Sequence, residues 1–254
     1  MCADSTPVRL LQITDTHLFA ESDKTLYGVN TRESLRHVLN AAMRHPKPDL
    51  VLATGDLVHD ESPAGYSALS DMLQSLNAPV AAIAGNHDAL TPLQSITNPQ
   101  IHVGGVHTLG AWQIILLNTL ASGKVGGHLD EAELEFLETA LAHAQMFNVL
   151  IALHHHPVSI GSAWLDRIAL DNAGEFFEVV DRFDNVRGIL WGHVHQAFES
   201  ERKGIRLLAT PSTCVQFLPG SEKFATDNKP PGMRWLTLHA NGRFDTEVER
   251  IQNL

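Results

Sequence analysis

Two side chains two residues apart, Asp15 and His17, share one face of an extended chain and offer a single cation a carboxylate and an imidazole. The same theme recurs downstream. Gly55-Asp56 presents a carboxylate whose two oxygens can bridge a pair of metals. Gly85-Asn86-His87-Asp88 puts an amide oxygen, an imidazole and a carboxylate together. His154-His155-His156-Pro157 supplies three imidazoles, and Gly192-His193-Val194-His195 repeats the spacing of two. Each motif alone is common. Together they provide seven candidate metal ligands: Asp15, His17, Asp56, Asn86, His154, His193 and His195, with His155 the alternative to His154. Asp15, His17 and His195 suit one cation, Asn86, His154 and His193 a second, and Asp56 stands between them.

Such a pair generates a hydroxide near neutral pH and clamps the oxygens of an in-line phosphoryl displacement, so no serine or cysteine nucleophile is needed. Two divalent cations against two aspartates leave a local charge of +2, enough to attract a phosphate diester to an acidic protein. His87 is then the expected catalytic side chain beside Asp56. It would hydrogen-bond a non-bridging phosphate oxygen or protonate the leaving ribose oxygen, with Asp60 or Asp88 orienting its ring. Gln196-Ala197 after His195 does not fit a metallo-β-lactamase, and Gly123-Lys124 lacks the glycine spacing of a phosphate-binding P-loop.

Apolar runs of strand length precede every one of these motifs. They cover residues 8–14, 50–54, 80–84, 149–153 and 186–190, with a further run at 114–118. Amphipathic helices are expected over 31–44, closed by Pro46 and Pro48, and over 63–76. Asp130 with Glu133, and Asn172 with Glu175, carry the signature of helix starts. The alternation predicts an α/β protein of mostly parallel sheets, its ligands gathered at the carboxyl ends of strands. Beyond Gly204 the pattern shifts to strands at 205–209, 235–239 and 246–251, with a Pro/Gly/Asp/Asn-rich loop from Pro219 to Gly232. Residues 1–254 read as one domain, in which 205–254 completes the second sheet and contributes a loop near the site.

Lys and Arg total 18 against 29 Asp and Glu, a net charge of −11, which argues against nucleic acid as a partner. Two cysteines, Cys2 and Cys214, are too few for a disulfide framework. The opening residues have neither a basic stretch nor an apolar core, and no run is long enough to span a bilayer. A cytoplasmic protein without membrane association is therefore expected.

The ordered set of motifs resembles the signature of the calcineurin-like metallophosphoesterase superfamily. Longer phrases at 11–20, 28–31, 164–166 and 208–217, with the triple histidine before Pro157, resemble the bacterial class III 3′,5′-cyclic AMP phosphodiesterases from about residue 8 to 251. The resemblance implies a four-layer αββα sandwich of two mixed sheets flanked by helices. It implies a metal pair, Fe or Mn first and Zn or Co as alternatives, and hydrolysis of 3′,5′-cyclic AMP to 5′-AMP by a monomer or homodimer. Substrate contacts are implied for His17, Asp56, Asn86, His87 and His195. A broader diesterase acting on 2′,3′-cyclic nucleotides, glycerophosphodiesters or aryl diesters is the alternative. Trp164 and Phe217 are candidates for stacking or lid residues, against the commoner reading that a Trp or Phe beside apolar neighbours is core.

Overall fold

Residues 6–252 are described by a computed structural model; Cys2 and both chain ends lie outside them. The first half runs β1 (Val8–Ile13), β2 (Thr25–Leu26), β3 (Val29–Asn30), α1 (Thr31–Ala42), β4 (Leu50–Thr54), α2 (Pro63–Gln74), β5 (Val80–Ile83), α3 (Leu90–Ser95), β6 (Ile101–Val103), β7 (Gly105–Leu109) and β8 (Trp112–Leu116). The second half runs α4 (Glu131–His143), β9 (Asn148–Ala152), α5 (Ala163–Asp166), α6 (Ala173–Val180), β10 (Val186–Trp191), β11 (Phe198–Arg202), β12 (Ile205–Ala209), β13 (Gln216–Phe217), β14 (Thr226–Asp227), β15 (Gly232–Leu238) and β16 (Phe244–Arg250).

The strand alternation sorts side chains into three apolar layers. Leu11, Ile13, Val51, Ala53, Val80 and Ala82 pack with Leu35, Val38, Tyr66 and Leu69 of α1 and α2 on one outer face. Leu10, Leu50, Leu52, Ala81 and Ile83 point the other way and meet Ile114, Leu116, Leu150, Ala152 and Leu190 from a second sheet. That sheet's outer face packs on Leu137, Leu141, Phe176 and Val180 of α4 and α6. Two sheets face to face with helices outside both make the expected four-layer sandwich. Strands buried on both faces are apolar at nearly every position, as in β4.

Both sheets are mixed. One has the order β16-β15-β1-β4-β5-β6, parallel from β1 to β6 and antiparallel at the β15 and β16 edge. The other has the order β11-β12-β10-β9-β8-β7, parallel from β12 to β8 and closed by antiparallel strands at both edges. The segment after Gly204 therefore does not complete the second sheet alone. It divides, β12 beside β10 and β15 beside β1, where Val8 faces Leu238. Alternation in β15 puts Met233 and Trp235 in the helix-covered layer and Leu236 and Leu238 in the layer between the sheets.

Helix starts follow local chemistry. Asn30, Ser62 and Asp130 each accept a hydrogen bond from a backbone N–H three residues on, and Pro63 occupies the first turn of α2. Asn172 departs from expectation: its amide donates to the Leu129 carbonyl and accepts from the Leu129 N–H, tying α6 to the segment before α4 rather than capping its own helix. Among the described residues no helix is long and apolar enough to cross a membrane.

Candidate metal centre

Five parallel strands deliver the motifs to one rim. β1 ends before Asp15 and His17, β4 before Asp56, β5 before Asn86 and His87, β9 before His154, and β10 before His193 and His195. The first three strands belong to one sheet and the last two to the other, so face-to-face packing is what makes the loops converge. Backbone bonds lock them together: Asp15 N–H donates to the Gly55 carbonyl at 2.9 Å, His17 N–H to the Asp56 carbonyl at 2.9 Å, and Gly192 N–H to the His154 carbonyl at 3.2 Å.

Nine described non-glycine residues have positive φ, and five of them are predicted ligands: Asp15 (53°), His17 (44°), Asp56 (50°), His193 (64°) and His195 (47°). A left-handed conformation costs a residue with a Cβ roughly 1–2 kcal/mol, so the strain is concentrated where the strand tips turn their side chains toward one another. Glycines permit the approach. A Cβ on Gly85 would overlap the carboxylate and backbone nitrogen of Asp56, and one on Gly192 would overlap the Thr14 hydroxyl and come within 2.8 Å of Asp15 Oδ2.

Asp15, His17, Asp56 and His195 are all buried, and their candidate ligand atoms lie within 4.8 Å of one another. His17 Nε2 is 3.2 Å from His195 Nε2 and 3.6 Å from Asp56 Oδ2, and His195 Nε2 is 3.4 Å from Asp15 Oδ1. His195 donates its Nδ1–H to the Val215 carbonyl at 2.8 Å, and His154 donates its Nδ1–H to the Thr54 carbonyl at 2.8 Å. These bonds fix the tautomers and leave both Nε2 lone pairs free to coordinate. Asn86 Oδ1, His154 Nε2 and His193 Nε2 are buried with no hydrogen-bond partner among the described residues. They are the three atoms expected to hold the second cation. A buried polar atom without a partner is unfavourable by about 1–3 kcal/mol, and a metal would relieve these three; both ring nitrogens of the neighbouring His156 are likewise without a partner among the described residues.

The protonation pattern agrees. Burial drives the His17 and His193 imidazoles well below their usual range, keeping them neutral as ligands must be. Burial acts in the same sense on His154, but the Asp56 carboxylate 3.4 Å away overrides it and lifts the imidazole to about 9. Asp56 Oδ1 also accepts the His87 N–H at 2.9 Å, so the loop carrying His87 is held by the same carboxylate.

The structure separates the candidates in the histidine run. His155 lies in one candidate cluster with His154 and His193, but both its ring nitrogens have partners, Nε2 the Val125 carbonyl at 3.1 Å and Nδ1 the Thr119 hydroxyl at 2.7 Å, whereas His154 Nε2 has none among the described residues. His156 is buried too, with Nε2 3.6 Å from Asp166 Oδ1. The expected orientation of His87 by Asp60 or Asp88 does not occur. Asp60 accepts from Ala20 and Ser62, while Asp88 accepts from Leu57, Val58, Gly85 and the Tyr66 hydroxyl. The His87 ring instead stacks on His59, centroids 4.4 Å apart. His59 was not singled out by spacing, yet its Nδ1 lies 3.0 Å from His17 Nδ1. It sits on the loop of Asp56, three residues on, which is the signal that could have found it. Trp164 and Phe217 are not plain core: both line a cavity of about 180 Å³ with Asp56, Asn86, His87 and His195.

Residues 8–197 match the family profile of calcineurin-like phosphoesterases. The chain belongs to this family, whose members act through a dinuclear metal site. Among curated proteins it is 40% identical to the 3′,5′-cyclic adenosine monophosphate phosphodiesterase CpdA of Pseudomonas aeruginosa, over 99% of this chain and 93% of that protein. The protein of the same description from Escherichia coli K12 is 45% identical, over 96% and 90%. A dimetal phosphatase from Danio rerio shares the fold, with a TM-score of 0.65 at 16% identity, over 98% of this chain and 100% of that one.

Proposed function

We propose that this protein hydrolyses 3′,5′-cyclic AMP to 5′-AMP in the cytoplasm, as one domain carrying a pair of Fe or Mn ions, with Zn or Co as substitutes. The carrying observation is the trio of buried, partnerless atoms on Asn86, His154 and His193 beside the Asp15, His17, Asp56 and His195 cluster. Relatives 40% and 45% identical over nearly the whole chain support the substrate. In this reading Asp15, His17 and His195 would hold one cation and Asn86, His154 and His193 the other, with Asp56 between the two sets.

When bound, the pair would polarise a phosphoryl oxygen and lower the pKa of an attacking water. The protein's own groups do the rest. Tautomer-fixing bonds to Thr54 and Val215 keep His154 and His195 aimed without rotational freedom. Asp56 anchors the His87 backbone, and His59 stacks on the face of the His87 ring. His87 then donates a hydrogen bond to the phosphate and a proton to the ribose 3′ oxygen as the P–O3′ bond breaks. The test is kcat/KM for 3′,5′-cyclic AMP, cyclic GMP, 2′,3′-cyclic AMP and an aryl phosphodiester on metal-replete protein. The 3′,5′-cyclic nucleotides should lead; turnover of the aryl diester with none of 3′,5′-cyclic AMP would refute the proposal and point to the broader diesterase.

A further inference from the structure

Tyr27 is 60% exposed, Val125 54% and Phe224 47%, and all three border the cavity that holds Asp56, Asn86 and the site histidines. Large apolar groups left in water at the mouth of a polar site mark a surface that something else covers. The aromatic rings are ordered in a path. Phe217 lies flat on His195, centroids 4.1 Å apart and planes 11° from parallel. Phe224 follows at 5.4 Å from Phe217, and Tyr27 at 5.0 Å from Phe224. Trp164 backs both phenylalanines, 5.1 Å from Phe217 and 5.3 Å from Phe224.

The backbone beneath Tyr27 is strained. Tyr27 (φ 48°) and Gly28 (φ 85°) are the two central residues of the turn joining β2 and β3. Such turns favour Asn-Gly or Gly-Gly, because a bulky side chain resists the left-handed region. Strain of that kind persists where it aims a group at a function. Phe224 arrives from the opposite side, on the loop between β13 and β14, so two separate hairpins meet ring to ring above the site. Apart from Asp56, Asn86 and the histidines, the cavity is lined by Leu26, Val125, Leu165, Ile168 and these aromatics, a mainly apolar surface suited to a flat face, in which the buried Trp164 Nε1–H has no partner among the described residues.

We infer that Tyr27, Phe217 and Phe224 form the stacking site for the heterocyclic base of a nucleoside phosphate whose phosphate lies at Asp56, Asn86 and His87. The inference rests on the cyclic nucleotide reading above and adds the part of the substrate it leaves unassigned. Stacking is tolerant of base identity, since every base has a π-face, so adenine and guanine should be held alike and pyrimidines more weakly.

The test uses inhibition of aryl phosphodiester turnover by 5′-AMP and by ribose 5-phosphate, which carries the same sugar and phosphate without a base. In the unaltered enzyme 5′-AMP should bind more tightly than ribose 5-phosphate. Tyr27→Ala and Phe224→Ala should each raise the inhibition constant of 5′-AMP roughly 5- to 150-fold and leave that of ribose 5-phosphate unchanged; Tyr27→Phe should behave as wild type. Equal inhibition by the two compounds in the unaltered enzyme overturns the inference without any variant having to fold. So does an unchanged 5′-AMP constant in both alanine variants. Failure of the function reading shows separately, as absent cyclic AMP turnover by the unaltered enzyme.

Discussion

Gly85→Ala places one methyl group where the site has no room for it. The added Cβ overlaps Asp56 Oδ1 and the Asp56 backbone nitrogen and stands 2.7 Å from His154 Nε2. A side chain could swing aside, but the backbone nitrogen cannot, and the β4 and β5 strands on either side are pinned in register from Val51↔Val80 to Thr54↔Ile83. Gly85 does not need a left-handed φ, so the effect is steric alone. Overpacking of this kind destabilises by about 1–3 kcal/mol. At ~2–4 °C per kcal/mol for a chain of this size, the melting temperature should fall by about 2–12 °C. Because Asp56 also anchors His87, a displacement approaching 1 Å should lower kcat/KM on the order of 100-fold. Gly174→Ala is the matched control: it lies in α6 with nothing within 4 Å of the added Cβ, and should stabilise by up to about 1 kcal/mol. Thermal unfolding of metal-free samples reads the packing effect, and metal content after loading reads the damage to the site. Wild-type melting, metal content and turnover in Gly85→Ala would refute the close approach of Asp56 and His154.

Exchanging neighbours in the histidine run should separate roles. His154→Ala should lose one metal per chain, whereas His155→Ala should keep both and lower stability by about 2–4 kcal/mol through its bonds to Thr119 and Val125. Loss of metal from His155→Ala alone, measured by elemental analysis, would reverse the assignment. For His87→Ala, retained metal with a fall in kcat of about 10²–10⁴ is expected, and an unchanged kcat would remove it from the chemistry. Tyr66→Phe deletes a buried hydroxyl that donates to Asp88 at 2.8 Å and accepts the Ala89 N–H at 2.9 Å. It should cost about 1–3 kcal/mol in denaturant unfolding, and a neutral result would mean that water replaces the hydroxyl.

The strand tips were readable because two independent patterns coincide there, an apolar run of strand length and a cluster of oxygen and nitrogen ligands at its end. The placement of β15 was not readable, since an antiparallel strand apolar on alternate sides satisfies the edge of either sheet. Only the pairing of Leu11 with Trp235 across β1 settles it. The hairpin of β2 and β3 has two-residue strands and escapes periodicity, although Leu26-Tyr27-Gly28-Val29 has the form of a tight turn between apolar residues. His59, Tyr27 and Phe224 were invisible for a related reason. Their meaning lies in which ring they touch, and the partners are distant in sequence: His59 from His17, Phe217 from His195, and Phe224 from Tyr27. The different surroundings of His154 and His155 likewise show in their bonds to Thr54, Thr119 and Val125 rather than in their spacing.

The convergence of Asn86, His154 and His193 on one cation, beside a second at Asp15, His17 and His195, is tested most directly by counting metal in fully active protein and in Asn86→Ala. Two transition-metal ions per chain, falling to about one or fewer in the variant with activity lost in step, is the predicted result. Full phosphodiesterase activity in a preparation with no bound transition metal, or an unchanged metal count in Asn86→Ala, would contradict it.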